Sequence, residues 1–305
     1  MRLSFVTSNI LHQVLEWSEI NIVYNPTNTL FDKILYHALP TFNFFVFNPD
    51  YVSSAENCLG VPESHVELYN YDLIIANSIL DTSRESLSRT LHANTVIFQH
   101  DNKNPKIKKE DLIILNNKTQ SYHKVFFSNH KSAQWGGIAS SVIPYGIPQD
   151  IFKKQKEYSD RTKDILIISA PNNIGAKQLS SFIKDRYEVI DIIESKDYQN
   201  LNLNEINNKI NDYRVIVNLA DYDLMNLVGI SCGCNVLTLA NLDKPTPYIS
   251  TCSSAKDIVE KLENIQEINQ EDVKTYLETN YSFSLFKLHT SQLIQAKAKQ
   301  EAYIL

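Results

Sequence analysis

Residues 217–240 read VNLADYDLMNLVGISCGCNVLTLA, and this stretch decides the fold class. It begins as an apolar run of strand length, crosses a polar loop, becomes helical at about Met225, and stops at Cys232 and Gly233 before another apolar run. Gly233 stands where a helix ends in a left-handed cap. The stretch therefore predicts a strand, a helix and a second strand of one α/β layer.

Apolar runs of the same kind recur along the whole chain. They are continuous rather than alternating, which favours strands covered on both faces, as in a parallel sheet between helices. The fold class predicted is therefore α/β, with two doubly wound domains in succession. One series of runs lies at 2–8, 20–24, 43–47, 71–78, 94–100 and 124–129, and the other at 164–170, 187–193, 213–219 and 235–240.

A segment rich in proline and charge separates the two series. With 305 residues the chain exceeds what one hydrophobic core usually serves. Residues 147–163 follow an apolar run and turn abruptly polar, so we place the hinge there. The predicted domains are 1–147 and 148–305, and the stretch from Asp272 onward has helical composition.

Composition excludes several classes of protein. Apolar residues make up 43% of the chain and charged residues 21%, which are the proportions of a folded globular protein. A formal charge of −6 argues against binding nucleic acid through net charge, and leaves a local basic face open. No apolar run reaches the ~20 residues of a membrane span. The four cysteines show no CxxC pair and no secretory leader is seen, so we expect free thiols, no metal and a cytoplasmic location.

Polar residues that end the predicted strands are the candidates for chemistry, because doubly wound sheets bind ligands beyond the carboxyl ends of their strands. His100 and Asp101 end a buried run, and a histidine there needs partners that a neighbouring carboxylate can supply. We favour a catalytic pair at this point. The acceptor-side candidates in the same half are Ser8, Asn9, Asn77 and Ser78, for which strand capping is the plain structural alternative.

The second half offers two helix starts that suit an anion. SAPNNIGAKQL places an Asn-Asn turn before a helix with Lys177 in its first turn, and the loop at 221–226 leads into another helix. An ordinary loop with a solvated lysine is the alternative for the first of these. The donor-binding candidates are Ser169, Asn172, Asn173, Lys177, Asp221, Asp223, Met225 and Asn226.

Three stretches together resemble the GT-B glycosyltransferases. SVIPYGIPQDIF at 141–152 is similar to the interdomain segment of that family, LVGISCGCNVLTL at 227–239 to its L-E-A-M-A-C-G-x-P-V motif, and YSFSLFKLHTSQLI at 281–294 to its final helix. The resemblance implies two Rossmann-like domains facing a cleft, a nucleotide-sugar donor in the second domain, and a last helix that crosses back. The paired glutamates of the family fall on Ala220 and Val228, so Asp221 or Asp223 would hold the ribose instead.

The first half resembles the bacteriophage DNA α-glucosyltransferases more specifically. The residues that carry this likeness are YDLIIANSILDTSRESL at 71–87, VIFQHDNKN at 96–104 and KVFFSNHKS at 124–132. It implies transfer from a UDP-sugar to 5-hydroxymethylcytosine in duplex DNA, inside an infected bacterium, with no permanently bound cofactor. Asp101 would deprotonate the acceptor hydroxyl, or His100 would hydrogen-bond the sugar and its leaving phosphate.

A DNA acceptor requires a surface that binds phosphate. Lys103 and Lys106, followed by Lys108 and Lys109, are the basic residues beside the predicted catalytic pair. A solvated loop is the structural alternative for such a run. A saccharide acceptor, or a nucleotide-sugar-binding protein without catalysis, remains open at this point.

Overall fold

The structure is a computed structural model of the chain. The chain folds into two compact units, each of which is described by itself. The first consists of Met1–Thr27, Leu35–Pro144 and Ser284–Leu305, and the second of Asn28–Ile34 and Tyr145–Phe283. The residues described are 21–24, 30–46, 58–60, 72–76, 78, 94–99, 107–136, 141–170, 173–194, 201–220, 223–239 and 246–298.

The first unit contains a parallel sheet of seven strands in the order β3-β2-β1-β4-β5-β6-β7. Its order reverses between β1 and β4, as in the classical dinucleotide-binding fold. The described side chains of β4 and the last five of β5 are buried, because apolar layers cover both faces. The strands are β1 (Asn21–Tyr24), β2 (Asn43–Val46), β3 (Cys58–Gly60), β4 (Leu73–Ala76), β5 (Asn94–Gln99), β6 (His123–Phe126) and β7 (Ser141–Val142).

The second unit contains a parallel sheet of five strands in the order β12-β11-β10-β8-β9. This is the flavodoxin-like order, and the chain reverses direction across the sheet between β8 and β10. Val217 pairs with Ile167 and Asn218 with Ile168, so β8 and β10 end side by side. The strands are β8 (Lys163–Ser169), β9 (Ile190–Glu194), β10 (Tyr213–Asn218), β11 (Asn235–Thr238) and β12 (Ile249–Thr251).

Helices cover the second sheet on both faces. Ile165, Ile167 and Val217 form one buried cluster with apolar residues of α4 and α7. On the other face α6 lies so close that a Cβ atom on Gly229 would come within 2.8 Å of Ile216 and Val236. The helices of both units are α1 (Leu30–Ala38), α2 (Lys109–Lys118), α3 (Asn129–Gln134), α4 (Ile174–Ile183), α5 (Leu203–Ile210), α6 (Asp223–Ser231), α7 (Ala255–Leu262), α8 (Gln270–Asn280) and α9 (Phe283–Ala298).

The predicted fold class is confirmed: both units are parallel, doubly wound α/β layers. Gly233 has the predicted left-handed backbone, with φ of +82°. The predicted helix start at about Met225 is wrong by two residues. Helix α6 begins at Asp223, where an acidic residue in the first turn is stabilised by the helix dipole. Within the described ranges, no helix is long and apolar enough to cross a membrane.

Candidate functional site

The carboxyl edge of the second sheet, at the point where the strand order reverses, is the candidate donor site. Ser169 ends β8 and Asn218 ends β10, and both side chains are buried. Thr238 ends β11 and pairs with Asn218 in the sheet register. Helices α4 and α6 start just beyond these strand ends. In doubly wound sheets this edge, next to the reversal of strand order, is where ligands bind.

A bridge between two buried asparagines fixes the loop at this edge. The Asn218 Oδ1 atom accepts a hydrogen bond from the backbone N–H of Ala220 at 3.0 Å. The Asn218 Nδ2 atom donates to Asn226 Oδ1 at 2.8 Å. One side chain thus holds the start of the β10–α6 loop and the second turn of α6 together. Buried amide hydrogen bonds of this kind are costly to break, because the freed groups stay away from water.

The first turn of α6 keeps unused hydrogen-bond donors. In the described part of the chain, the backbone N–H groups of Leu224 and Met225 have no acceptor, as is normal for a helix start. The Asn226 Nδ2 group, which is buried, also lacks a partner among the described residues. Polar groups in such surroundings are usually satisfied. The first turn of α6 is therefore set up to donate hydrogen bonds to an anion.

Helix α4 begins beside β8 and is capped by its own sequence. Asn173 is the N-cap residue, and its Oδ1 atom accepts from the backbone N–H groups of Gly175 at 2.9 Å and Ala176 at 3.3 Å. Lys177 follows on the exposed side of the helix and forms no ion pair with any described residue. Two of the helix-start donors are thus already occupied. Anion binding here stays a prediction, and a phosphate would have to replace the Asn173 oxygen.

The opposite end of α6 is closed by a buried arginine. The Arg161 guanidinium group donates to the carbonyl oxygens of Tyr213 at 2.5 Å and Cys232 at 2.6 Å, and to Cys234 Sγ at 3.0 Å. Only 1% of Arg161 is exposed. Burial raises the pKa of the Cys234 thiol to about 11, although the neighbouring Arg161 charge opposes the rise. Among the described residues, this cation therefore holds carbonyl and thiol groups and no carboxylate.

Several predicted site residues lie in the described part of the chain. Met225 and Asn226 are buried in α6, so Met225 offers only its backbone N–H. Asp223 is the first residue of α6 and is half-buried. Ser78, which follows β4 in the first unit, is also half-buried. The predicted residues Ser8, Asn9, Asn77, His100, Asp101, Lys103, Lys106, Asn172 and Asp221 lie outside the described residues.

Near the predicted catalytic pair, the described residues have structural roles. β5 ends at the fully buried Gln99, directly before His100 in the chain. Lys108 and Lys109 are exposed at the start of α2, where the Asp111 carboxylate accepts from the Lys108 backbone N–H at 3.3 Å. Ser128, at the end of another predicted strand, caps α3 by accepting from the Lys131 N–H at 3.1 Å. These contacts make Ser128 a helix cap and the two lysines part of a solvated helix start.

Sequence reasoning missed Asn218, Thr238 and Arg161. For Asn218 a signal existed, because an asparagine ends the apolar run YRVIVN at a strand terminus. Thr238 ends its run in the same way. Nothing in the sequence marks Arg161, which follows a polar stretch typical of solvent-exposed chain.

Comparison with solved structures shows which proteins share this fold. AviGT4, a glycosyltransferase involved in avilamycin A biosynthesis, matches with a TM-score of 0.57 and 9% sequence identity, over 92% of this chain and 98% of that chain. At that identity the likeness shows the fold alone. The two Rossmann-like units thus place the chain in the GT-B fold class.

Two further structures match more distantly. The glycosylation-associated protein complex Gap123 from Streptococcus agalactiae gives a TM-score of 0.39 at 12% identity, over 79% of this chain and 56% of that chain. The GtfA/B complex bound to UDP and GlcNAc gives a TM-score of 0.34 at 13% identity, over 74% and 57% of the two chains. The sequence matches no family model and no curated protein.

Proposed function

We propose that the protein is a glycosyltransferase that moves a sugar from a UDP-sugar to an acceptor hydroxyl group, with 5-hydroxymethylcytosine in duplex DNA as the acceptor. The observation that carries the proposal is the first turn of α6, with its unused backbone donors, at the edge where the second sheet reverses its strand order. The GT-B fold shared with AviGT4 adds support for glycosyl transfer. The DNA acceptor rests on the sequence resemblance in the first half.

The donor half of the reaction follows from electrostatics. As the bond between sugar and diphosphate breaks, negative charge grows on the leaving group. The N–H groups of Leu224 and Met225, aligned with the helix dipole, stabilise this charge without reorganising. The Asn218–Asn226 bridge keeps these donors in place. Lys177 supplies a positive charge from the start of α4, and Asp223 is a candidate to hold the ribose.

The acceptor half rests on His100, Asp101 and the lysines that follow them. A carboxylate within hydrogen-bond reach of the acceptor hydroxyl would remove its proton as the sugar is transferred. The lysines, exposed in the case of Lys108 and Lys109, would bind DNA phosphates. The enzyme would also have to expose the modified base, which most enzymes that act on a base in duplex DNA achieve by flipping it out.

Mass spectrometry of nucleosides tests the whole proposal. DNA that contains 5-hydroxymethylcytosine is incubated with the protein and a panel of UDP-sugars, then digested. We expect one sugar mass to be added to the modified nucleoside and UDP to be released in equal amount. Transfer to a saccharide, with none to DNA, would overturn the acceptor assignment. Binding of UDP-sugar with no transfer to either acceptor would overturn catalysis.

Lys177→Ala tests the donor site directly. The lysine is exposed and forms no ion pair with a described residue, so we expect the melting temperature to stay within about 2 °C, while kcat/KM falls about tenfold or more. Lys184→Ala is the matched control, because Lys184 is an exposed lysine at the other end of the same helix. Unchanged turnover in the Lys177 variant would remove this residue from the site.

A further inference from the structure

We infer that a cavity in the second unit, separate from the donor site, binds a neutral saccharide. The cavity has a volume of about 640 Å³ and opens at the side of β11, β12, α7 and the loop 265–269. Asn235, Val236 and Leu237 of β11 line it, and none of the residues described at the donor site does. Small-molecule sites typically occupy ~300–1,000 Å³. This inference goes beyond the proposed function and does not depend on it.

The walls of the cavity are held in place before any ligand arrives. Asp257, Glu260 and Lys261 line it from one face of α7, and Asn264 lines it from the turn that follows the helix. The facing loop is fixed because Lys154 donates to Glu267 at 2.9 Å. A site with anchored walls loses little conformational entropy when it binds a ligand.

The charges at the cavity select a neutral ligand. Each lining carboxylate already has a lysine partner, so none is left to attract a cation. The pairs are Asp257 with Lys261 at 3.4 Å, Glu260 with Lys256 at 3.6 Å, and Glu267 with Lys154 at 2.9 Å. Among the described residues, no group of histidine, cysteine and acidic side chains is arranged to hold a metal ion.

The remaining hydrogen-bonding groups match vicinal hydroxyl groups. Asn264 donates through Nδ2 to the Glu260 carbonyl oxygen at 3.0 Å, which leaves its Oδ1 atom without a partner in the described chain. The exposed Gln266 carboxamide likewise forms no hydrogen bond to the described residues. A carboxamide both donates and accepts, as does each hydroxyl group of a sugar.

One side of the cavity is apolar. Tyr248, Ile265 and Ile268 are half-buried around it, and the Tyr248 ring is held edge-on by Tyr276 at 5.5 Å between centroids. A fixed aromatic ring offers an apolar surface with a polar edge. The C–H face of a pyranose ring suits this surface, while its hydroxyl groups reach Asn264 and Gln266. A neutral saccharide would thus contact both the apolar side and the polar side of the cavity.

Calorimetric titration tests the inference on the full chain. Glucose, N-acetylglucosamine, maltose and chitobiose are titrated with saturating UDP present, so that heat from the donor site is excluded. We expect saturable binding of at least one sugar, weakened at least tenfold in the double variant Asn264→Leu, Gln266→Ala. Both residues are exposed, so the variant should fold. Lys184→Ala is the control and should leave the sugar affinity unchanged, because Lys184 is exposed at the end of α4 and does not line the cavity.

Salt dependence checks the class of ligand. Binding of a neutral sugar should change less than twofold between 0.05 and 0.5 M NaCl, roughly, because no charge pairs with the ligand. Spermidine, titrated in parallel, should give no saturable heat at the cavity. Failure of all four sugars to bind, binding that survives the double variant, or displacement of the sugar by spermidine would each overturn the inference. None of these results depends on whether the protein transfers sugars.

Discussion

The two ends of helix α6 differ in how completely their hydrogen bonds are satisfied. At the C-terminal end the Gly233 N–H donates to the Ile230 carbonyl oxygen and the Cys234 N–H to that of Gly229, both at 3.0 Å. These two bonds form a Schellman motif, and Arg161 satisfies the Cys232 carbonyl oxygen as well. At the N-terminal end the donors of Leu224 and Met225 have no described acceptor. Among the described residues, the same helix thus has a closed C-terminal end and an open N-terminal end.

The two ends of α6 should therefore have different roles, the C-terminal end in stability and the N-terminal end in ligand binding. A closed end contributes to folding, because each carbonyl group buried with a donor avoids a desolvation cost. Backbone donors without a described acceptor, at the N-terminal end, contribute nothing to folding and can bind a ligand. Substitutions at the C-terminal end should therefore change the free energy of unfolding, whereas those at the N-terminal end should change donor binding.

Arg161→Met should have the largest effect. The substitution removes the donor to the buried Cys232 carbonyl oxygen and one of the two donors to that of Tyr213, so we expect the free energy of unfolding to fall by about 3–5 kcal/mol. Urea denaturation measures it. Arg186→Met is the matched control, since Arg186 is exposed and its ion pair with Glu263 should contribute less than ~1 kcal/mol. Equal losses of unfolding free energy in the two variants would show that the closed end of α6 contributes no more stability than a surface ion pair.

Alkaline pH should weaken the C-terminal end next. Burial raises the pKa of Cys234 from 9.0 to about 11, so the folded state holds the thiol proton more tightly than the unfolded chain. The contribution of this thiol to the free energy of unfolding is complete below pH 9 and is lost as the pH rises to about 11. The loss amounts to about 2–3 kcal/mol, since each pKa unit corresponds to ~1.4 kcal/mol.

Cys234→Ser tests this prediction, because serine is similar in size to cysteine and does not lose a proton in this pH range. Unfolding free energies measured from pH 8 to 11 should fall less steeply in the variant than in the parent. Cys252→Ser is the control, because Cys252 is buried as well but burial raises the pKa of its thiol less than that of Cys234, so its substitution should change the slope less. If the unfolding free energy falls equally steeply with pH in the parent and in Cys234→Ser, groups other than Cys234 cause the loss of stability at alkaline pH.

Gly233→Ala should cost about 2 kcal/mol of stability. Its φ of +82° is strained for alanine, and the added Cβ atom would stand 2.8 Å from the Arg161 guanidinium group. Thermal unfolding gives the size of the effect, with Gly175→Ala in the first turn of α4 as a control without positive φ. A Gly233→Ala protein as stable as the parent would show that neither the backbone strain nor the contact with Arg161 costs stability.

Asn226→Asp should have the smallest effect and act only at the open end. The carboxylate still accepts from Asn218 Nδ2, so the bridge survives, yet a negative charge now lies in the second turn of α6. We expect the KM for UDP-sugar to rise about tenfold through repulsion of the diphosphate, and the free energy of unfolding to fall by about 1–2 kcal/mol because the new carboxylate is buried. Asn208→Asp on the exposed face of α5 controls for net charge. An unchanged KM would place the diphosphate elsewhere.

The strands were predictable because their physics is local. Runs such as LIIA at 73–76 and ILII at 165–168 are apolar throughout, and the structure buries them between layers of helices. The short strands β3, β7 and β12 were missed, since two or three residues carry no periodicity. Helix α5 was missed although Asn202 and Glu205 form a capping box. Its polar, asparagine-rich sequence hid that signal.

The candidate site was less predictable because it depends on contacts between distant residues. The pattern located Asn226, but its hydrogen bond to Asn218 requires the strand and helix to be packed together. Asn173 was assigned to a ligand, whereas its oxygen caps α4, and both uses draw on the same preference of asparagine for helix starts. Arg161 was missed for the same reason. A buried arginine is recognised only when the carbonyl groups around it are known.

The division of the first unit along the chain has a consequence for biosynthesis. Its last segment, Ser284–Leu305, follows the whole of Tyr145–Phe283 in the sequence. At ~5–20 residues per second, a ribosome takes roughly ten seconds or more to synthesise that intervening part. Until then Asn94 in β5 lacks the Lys297 carbonyl oxygen to which its Nδ2 group donates at 2.7 Å. The nascent chain therefore completes its second unit first and leaves the first one open to chaperones meanwhile.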